Sequence, residues 1–125
     1  MLTDRSAHVT GQVLDDADLP PLLATVMRPW VTAIETGTLG MREVVASAAA
    51  STAASLKRRV VVPPWLDIAI AEAVVASVTF ADALDKQDAR TAEPRAAALV
   101  ALAVVIENLR TAKPSDDTRA IGLGW

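Results

Sequence analysis

The side chains that could do chemistry in this chain are few. Its 125 residues include one histidine, His8, and no cysteine. That removes Cys–His and Ser–His–Asp catalysis unless the segment around His8 folds into a site, and it excludes the usual zinc ligand sets. The five glycines form neither a phosphate-binding loop nor a dinucleotide fingerprint. Two carboxylate groups remain. Asp82, Asp85 and Asp88 recur at every third position and could share one helix face, which is a conceivable Mg²⁺ site. With Lys86 and Arg90 beside them, they fit a solvated, ion-paired helix end better. Asp15, Asp16 and Asp18 lack the glycine turn and distal glutamate of a calcium loop, and they read as an acidic arm ending in a helix cap. No catalytic residue, cofactor or metal is expected.

Cations collect elsewhere. Leu22–Arg59 carries a net +3, from five cations and two anions, although the whole chain is at −3. Within it, Arg42–Arg58 resembles a bacterial helix-turn-helix, with small residues ahead of a polar segment and a basic exit. That resemblance covers about a sixth of the chain and implies DNA contact through Arg42, Lys57, Arg58 and Arg59. No glycine breaks Ala48-Ala49-Ala50-Ser51, however, so one continuous helix is expected there. At the far end, Ile121, Leu123 and Trp125 alternate with Gly122 and Gly124. An extended strand would set all three apolar groups on one face, and tryptophan is favoured as an interface anchor.

These groups must be positioned by helices. Alanine supplies 25 of the residues, the best helix former and one that allows close backbone approach. Pro20-Pro21 after Asp18 signals a first helix, with Leu22, Leu23, Val26, Met27, Trp30, Val31 and Ile34 as its apolar stripe. Pro29 falls on the polar side, and Gly37 is expected to end the helix. Thr38 is read as the cap of a second helix running to Arg59, whose cations suit the helix C-terminus. Val60-Val61-Val62-Pro63-Pro64 forces an extended connector. Apolar residues spread right around Trp65–Asp85, so this third helix is expected to be largely buried.

A fourth helix, Thr91–Lys113, holds the uncharged run Ala96–Ile106, which is expected to be covered on nearly every side. At eleven residues between Arg95 and Glu107 it falls short of the roughly 20 that a membrane span needs. The third and fourth helices should pair as an antiparallel hairpin.

The sequence therefore predicts an all-α chain: a small four-helix bundle with helices near 20–36, 38–59, 64–86 and 91–113. Residues 1–17 form an acidic arm, 18–113 the helical domain, and 114–125 an extended tail. The expected core is Leu22, Val26, Trp30, Ile34, Val45, Ile70, Val74, Phe80, Leu99, Leu102, Val105, Ile106 and Leu109. The absence of cysteine and of a secretory signal at Met1–Ser6 points to the cytoplasm, or to incorporation in a virion-like assembly. The leading function is a non-enzymatic homo-oligomeric assembly or adaptor subunit that engages copies of itself and neighbouring proteins through its terminal arms. Its organisation is similar to that of small ring-forming connectors of tailed phages. A small DNA-binding regulator is the alternative.

Overall fold

A computed structural model of the chain describes residues 19–86 and 91–120. Over these residues the chain is all-α. Four long helices, α1 (Pro21–Thr36), α2 (Arg42–Arg59), α3 (Pro64–Asp85) and α4 (Ala92–Leu109), are followed by a single turn, α5 (Asp116–Ala120). Each long helix packs on the next, α1 closes on α4, and the α3–α4 pairing is the most extensive. Outside this ring, α5 packs against α2.

Prolines fix two of the starts. Pro21 and Pro64 occupy first-turn positions, where a missing N–H costs nothing. Asp18, expected as the cap of α1, lies outside the described residues; the observed N-cap is Pro20. Pro29 stands on the exposed side of α1, as its sequence position predicts.

Two expected helix starts are corrected. Thr38 does not cap α2, which begins at Arg42 after a turn in which the Met41 amide bonds the Thr38 carbonyl at 3.0 Å. Gly40 holds φ +88° within that turn, a conformation that a helix cannot continue. Thr91 makes no side-chain cap bond to α4, and its backbone is already helical. Gly37 does end α1, but with φ −59° rather than a left-handed value. Glycine is required there for space: a Cβ would lie 2.9 Å from the Ala33 carbonyl oxygen and 3.0 Å from Phe80 Cε2.

The buried core runs through all four long helices. Trp30, Phe80, Leu23, Met27, Ile34, Leu56, Leu66, Ile70, Leu102 and Leu109 are fully enclosed. Of the expected core, Leu22, Val26 and Val74 are only partly buried, at the margins of their helices. One polar contact crosses the core. Trp30 Nε1 donates to Ser77 Oγ at 2.8 Å, and Ser77 Oγ donates onward to the Ala73 carbonyl at 2.8 Å. The buried indole N–H and the buried hydroxyl thereby satisfy each other.

The C-terminal stretch departs from the expected extended tail. Helix α4 stops at Leu109 instead of Lys113, because the chain leaves it to pair with the α2–α3 connector. Val60 and Pro114 form an antiparallel bridge, the Val61 amide bonds the Lys113 carbonyl, and the Ser115 amide bonds the Arg59 carbonyl, both at 2.9 Å. Residues 116–120 then turn into α5. Ser115 Oγ and Thr118 Oγ1 donate to the Arg58 and Arg59 carbonyls. The last carbonyls of α2, orphaned by the end of the helix, are thus met by Ser115 and by Thr118 of α5.

Candidate partner-docking surface

The larger correction concerns α3 and α4. The sequence predicts that α3 is largely buried and that the Ala96–Ile106 run of α4 is covered on nearly every side, and each helix instead turns an apolar stripe to solvent. On α3 the buried positions are Leu66, Ala69, Ile70, Ala73, Ser77, Phe80, Ala81 and Leu84. The opposite side carries Trp65, Ile68, Ala71, Val75 and Val78, all exposed. Ile68, Ala71, Val75 and Val78 are spaced three and four residues apart, so they form one stripe along the helix. On α4, Leu99, Leu102, Val105, Ile106 and Leu109 turn inward, while Ala96, Ala97, Val100, Ala103 and Val104 face out.

Exposure of single apolar residues is ordinary; their concentration is not. Nine large apolar side chains are exposed among the described residues, and six of them (Trp65, Ile68, Val75, Val78, Val100 and Val104) belong to α3 and α4. Trp65, Val75 and Val100 are each more than three-fifths exposed, at 62%, 65% and 62%. Helices α3 and α4 pair extensively, so both stripes belong to one helix pair. At one end, Trp65 and Leu66 of α3 and Asn108 of α4 share with Val61, Pro63 and Ala112 a mostly apolar cleft of about 150 Å³.

The charges at the margins are mainly acidic. Glu72 lies between Ile68 and Val75 on the exposed face of α3, and Glu93 lies seven residues before Val100 on α4. Glu107 pairs with Arg110 at 3.2 Å. Helices α3 and α4 together hold six carboxylates and one cation, Arg95. Arg95 is turned to a structural task. Its Nη1 and Nη2 donate to the Glu35 and Gly37 carbonyls at the end of α1, at 3.2 and 2.7 Å, and its guanidinium lies 5.0 Å from the Phe80 ring centroid.

The sequence-predicted site residues fall into two groups. Ile121, Leu123 and Trp125, and His8 with the acidic arm, lie outside the described residues. The four cations are described but not brought together. Arg42 stands at the first turn of α2 and Lys57, Arg58 and Arg59 at its last, separated by most of an 18-residue helix. Arg42 Nε donates to Asp82 at 2.9 Å, and Nη1 reaches Glu43 at 3.1 Å. Its pKa is raised above its ordinary value, chiefly by the hydrogen bond to Asp82. Lys57 Nζ lies 3.6 Å from Asp67, and Arg59 Nε donates to Ser55 Oγ. Asp82 thus pairs across to α2, and among the described residues no group of carboxylates or histidines is arranged to hold a metal ion. None of the described helices is long and apolar enough to cross a membrane.

Sequence reasoning missed the outer face of α3 and α4, although one signal for it was present. The three-and-four spacing of Ile68, Ala71, Val75 and Val78 is visible in the sequence, but it is masked by Ile70, Ala73, Phe80 and Ala81 on the other side of the same helix. In comparisons with known proteins, no family model, no curated protein and no solved structure matches the chain.

Proposed function

We propose that this chain is a non-catalytic subunit of a homo-oligomeric assembly, a four-helix adaptor whose contact surface is the apolar outer face of α3 and α4. The observation that supports it is the joint exposure of Trp65, Ile68, Val75, Val78, Val100 and Val104 on two neighbouring helices. An amphipathic helix that turns a second apolar stripe to solvent loses the transfer free energy of that stripe until something covers it. Helices of 22 and 18 residues span roughly 33 and 27 Å, so the two outer faces together offer on the order of 600 Å². That approaches the about 800 Å² that each partner contributes to a standard interface. The terminal segments, with Trp125 as an apolar anchor, add contacts to the same assembly in this reading.

The test is the native mass of the full chain by light scattering at micromolar concentration, beside Val75→Glu and Val104→Glu. Both positions are exposed, and glutamate is the better helix former, so folding is retained. The expected result is an oligomer for the natural sequence and loss of mass in both variants. A natural chain running as a 13.1-kDa monomer would overturn the reading.

A further inference from the structure

We infer that the surface covering the α3–α4 face is the α1–α2 face of a second copy, so that the contact is head-to-tail rather than two-fold. The inference rests on the assembly reading above and adds which two surfaces meet. Charge decides between the arrangements. Helices α1 and α2 hold five cations against two anions, whereas α3 and α4 hold one cation against six anions. A two-fold contact would set the same patch on itself, so that it would hold Glu72 and Glu93 from both copies and, with Arg95 of each bonded to α1, no cation to balance them. Head-to-tail contact brings them instead toward Arg28 and Arg58, which are exposed and have no carboxylate partner among the described residues. Like charges across an interface are strongly disfavoured, and complementary ones fix its register.

Relief points the same way. The α3–α4 face projects branched and aromatic side chains. The α1–α2 face exposes mainly small side chains, Thr25, Pro29, Ser47, Ala50, Ser51 and Ala54, together with Val44 two turns before Ser51. Between α1 and α2 runs an open groove of about 270 Å³, whose walls include Val26, Pro29, Ala48, Ser51 and Ser55. Arg58 follows Ser51 by two turns and Ser55 by three residues, which sets it at the end of this groove. Ridges such as Ile68 and Val75 can enter it, as side chains of one helix enter the grooves of another. Val26, Pro29 and Ala48 give the groove an apolar lining and Ser51 and Ser55 a polar one, so it can receive the apolar ridges and the carboxylate of Glu72 of a second copy.

A head-to-tail contact makes a prediction that no two-fold contact shares. Val75→Glu disables one surface, and Ser51→Glu disables the other by adding bulk and negative charge to the groove. Both positions are exposed, and circular dichroism with thermal melting of each full-length variant confirms folding. Each variant alone is expected to run as a 13.1-kDa monomer. Mixed in equal amounts, they are expected to form a one-to-one pair of twice that mass and nothing larger, because only one competent groove and one competent apolar face remain per pair. If Ser51→Glu keeps the mass of the natural chain while Val75→Glu dissociates, the contact is two-fold: the head-to-tail inference falls and the assembly reading survives. If both variants are monomers and the mixture stays monomeric, the groove is not the complement of the apolar face, and the inference falls as well. If the natural chain is itself monomeric, both fall together.

Discussion

At the scale of single residues, the interior depends on a few polar and steric fits within a mainly aliphatic core. Ser77 is the partner of the Trp30 indole N–H, and the pair is fully buried. Replacing Ser77 with alanine leaves that N–H unpaired and costs about 1–3 kcal/mol by denaturant unfolding. Substituting Trp30 with phenylalanine is expected to cost less in that background than in the natural chain, since the donor it removes is already unpaired there. The two glycines at the α1–α2 turn are sensitive for different reasons. Gly37→Ala drives a Cβ into Ala33 and Phe80 and is expected to cost about 1–3 kcal/mol. Gly40→Ala meets no atom within 4 Å but must adopt φ +88°, at a cost of about 1–2 kcal/mol. Asparagine separates the two mechanisms. It tolerates the left-handed region, so Gly40→Asn loses less than Gly40→Ala, whereas Gly37→Asn loses at least as much as Gly37→Ala.

At the scale of helices, the two sides of α3 and α4 are chemically alike and energetically different. Leu102→Ala removes a fully buried side chain and is expected to lower stability by about 2–5 kcal/mol. Val75→Glu changes an exposed side chain, and for the isolated chain it is expected to shift stability by no more than about 0.5 kcal/mol. Unfolding of both variants at concentrations low enough to keep the chain dissociated measures the contrast. A large loss from Val75→Glu would mean that this stripe belongs to the core. The same likeness sets how much of the fold is legible in the sequence. The all-α class and the four long helices follow from the alanine content and from Pro21 and Pro64, and much of the core follows from the periodic stripe of α1 and the apolar run of α4. The start of α2 does not, because threonine at position 38 looks like a cap and only the backbone shows that Gly40 interrupts the helix. Helix α5 is hidden for a similar reason: Asp116–Ala120 is too short to carry a period and is held by Ser115 and Thr118 on α2 carbonyls. The exposed apolar face of α3 and α4 is the least legible part. Alanine and valine occupy both sides of α4, so no period separates Val100, which faces out, from Leu99 and Leu102, which face in.

At the scale of the molecule, two surfaces of opposite character stand on one small helical chain. The α3–α4 side is apolar and acidic, and the α1–α2 side is basic with mainly small side chains and Val44 exposed among them. Ion pairs Arg42–Asp82 and Lys57–Asp67 join the two sides along the α2–α3 seam but leave Arg58, Glu72 and Glu93 for other contacts. Contact between unlike surfaces closes into a ring when the rotation per copy divides a full turn, and otherwise gives an open filament. In the proposed head-to-tail contact the apolar stripe supplies the association free energy, while the charges steer encounter and register. The most direct test of this picture is a dilution series of the natural full-length chain, with its mass followed by sedimentation equilibrium. The expected result is a multiple of 13.1 kDa that dissociates on dilution and does so at higher concentration for Val75→Glu. A mass of 13.1 kDa at every concentration would contradict the assembly role and leave the exposed face of α3 and α4 without its proposed occupant.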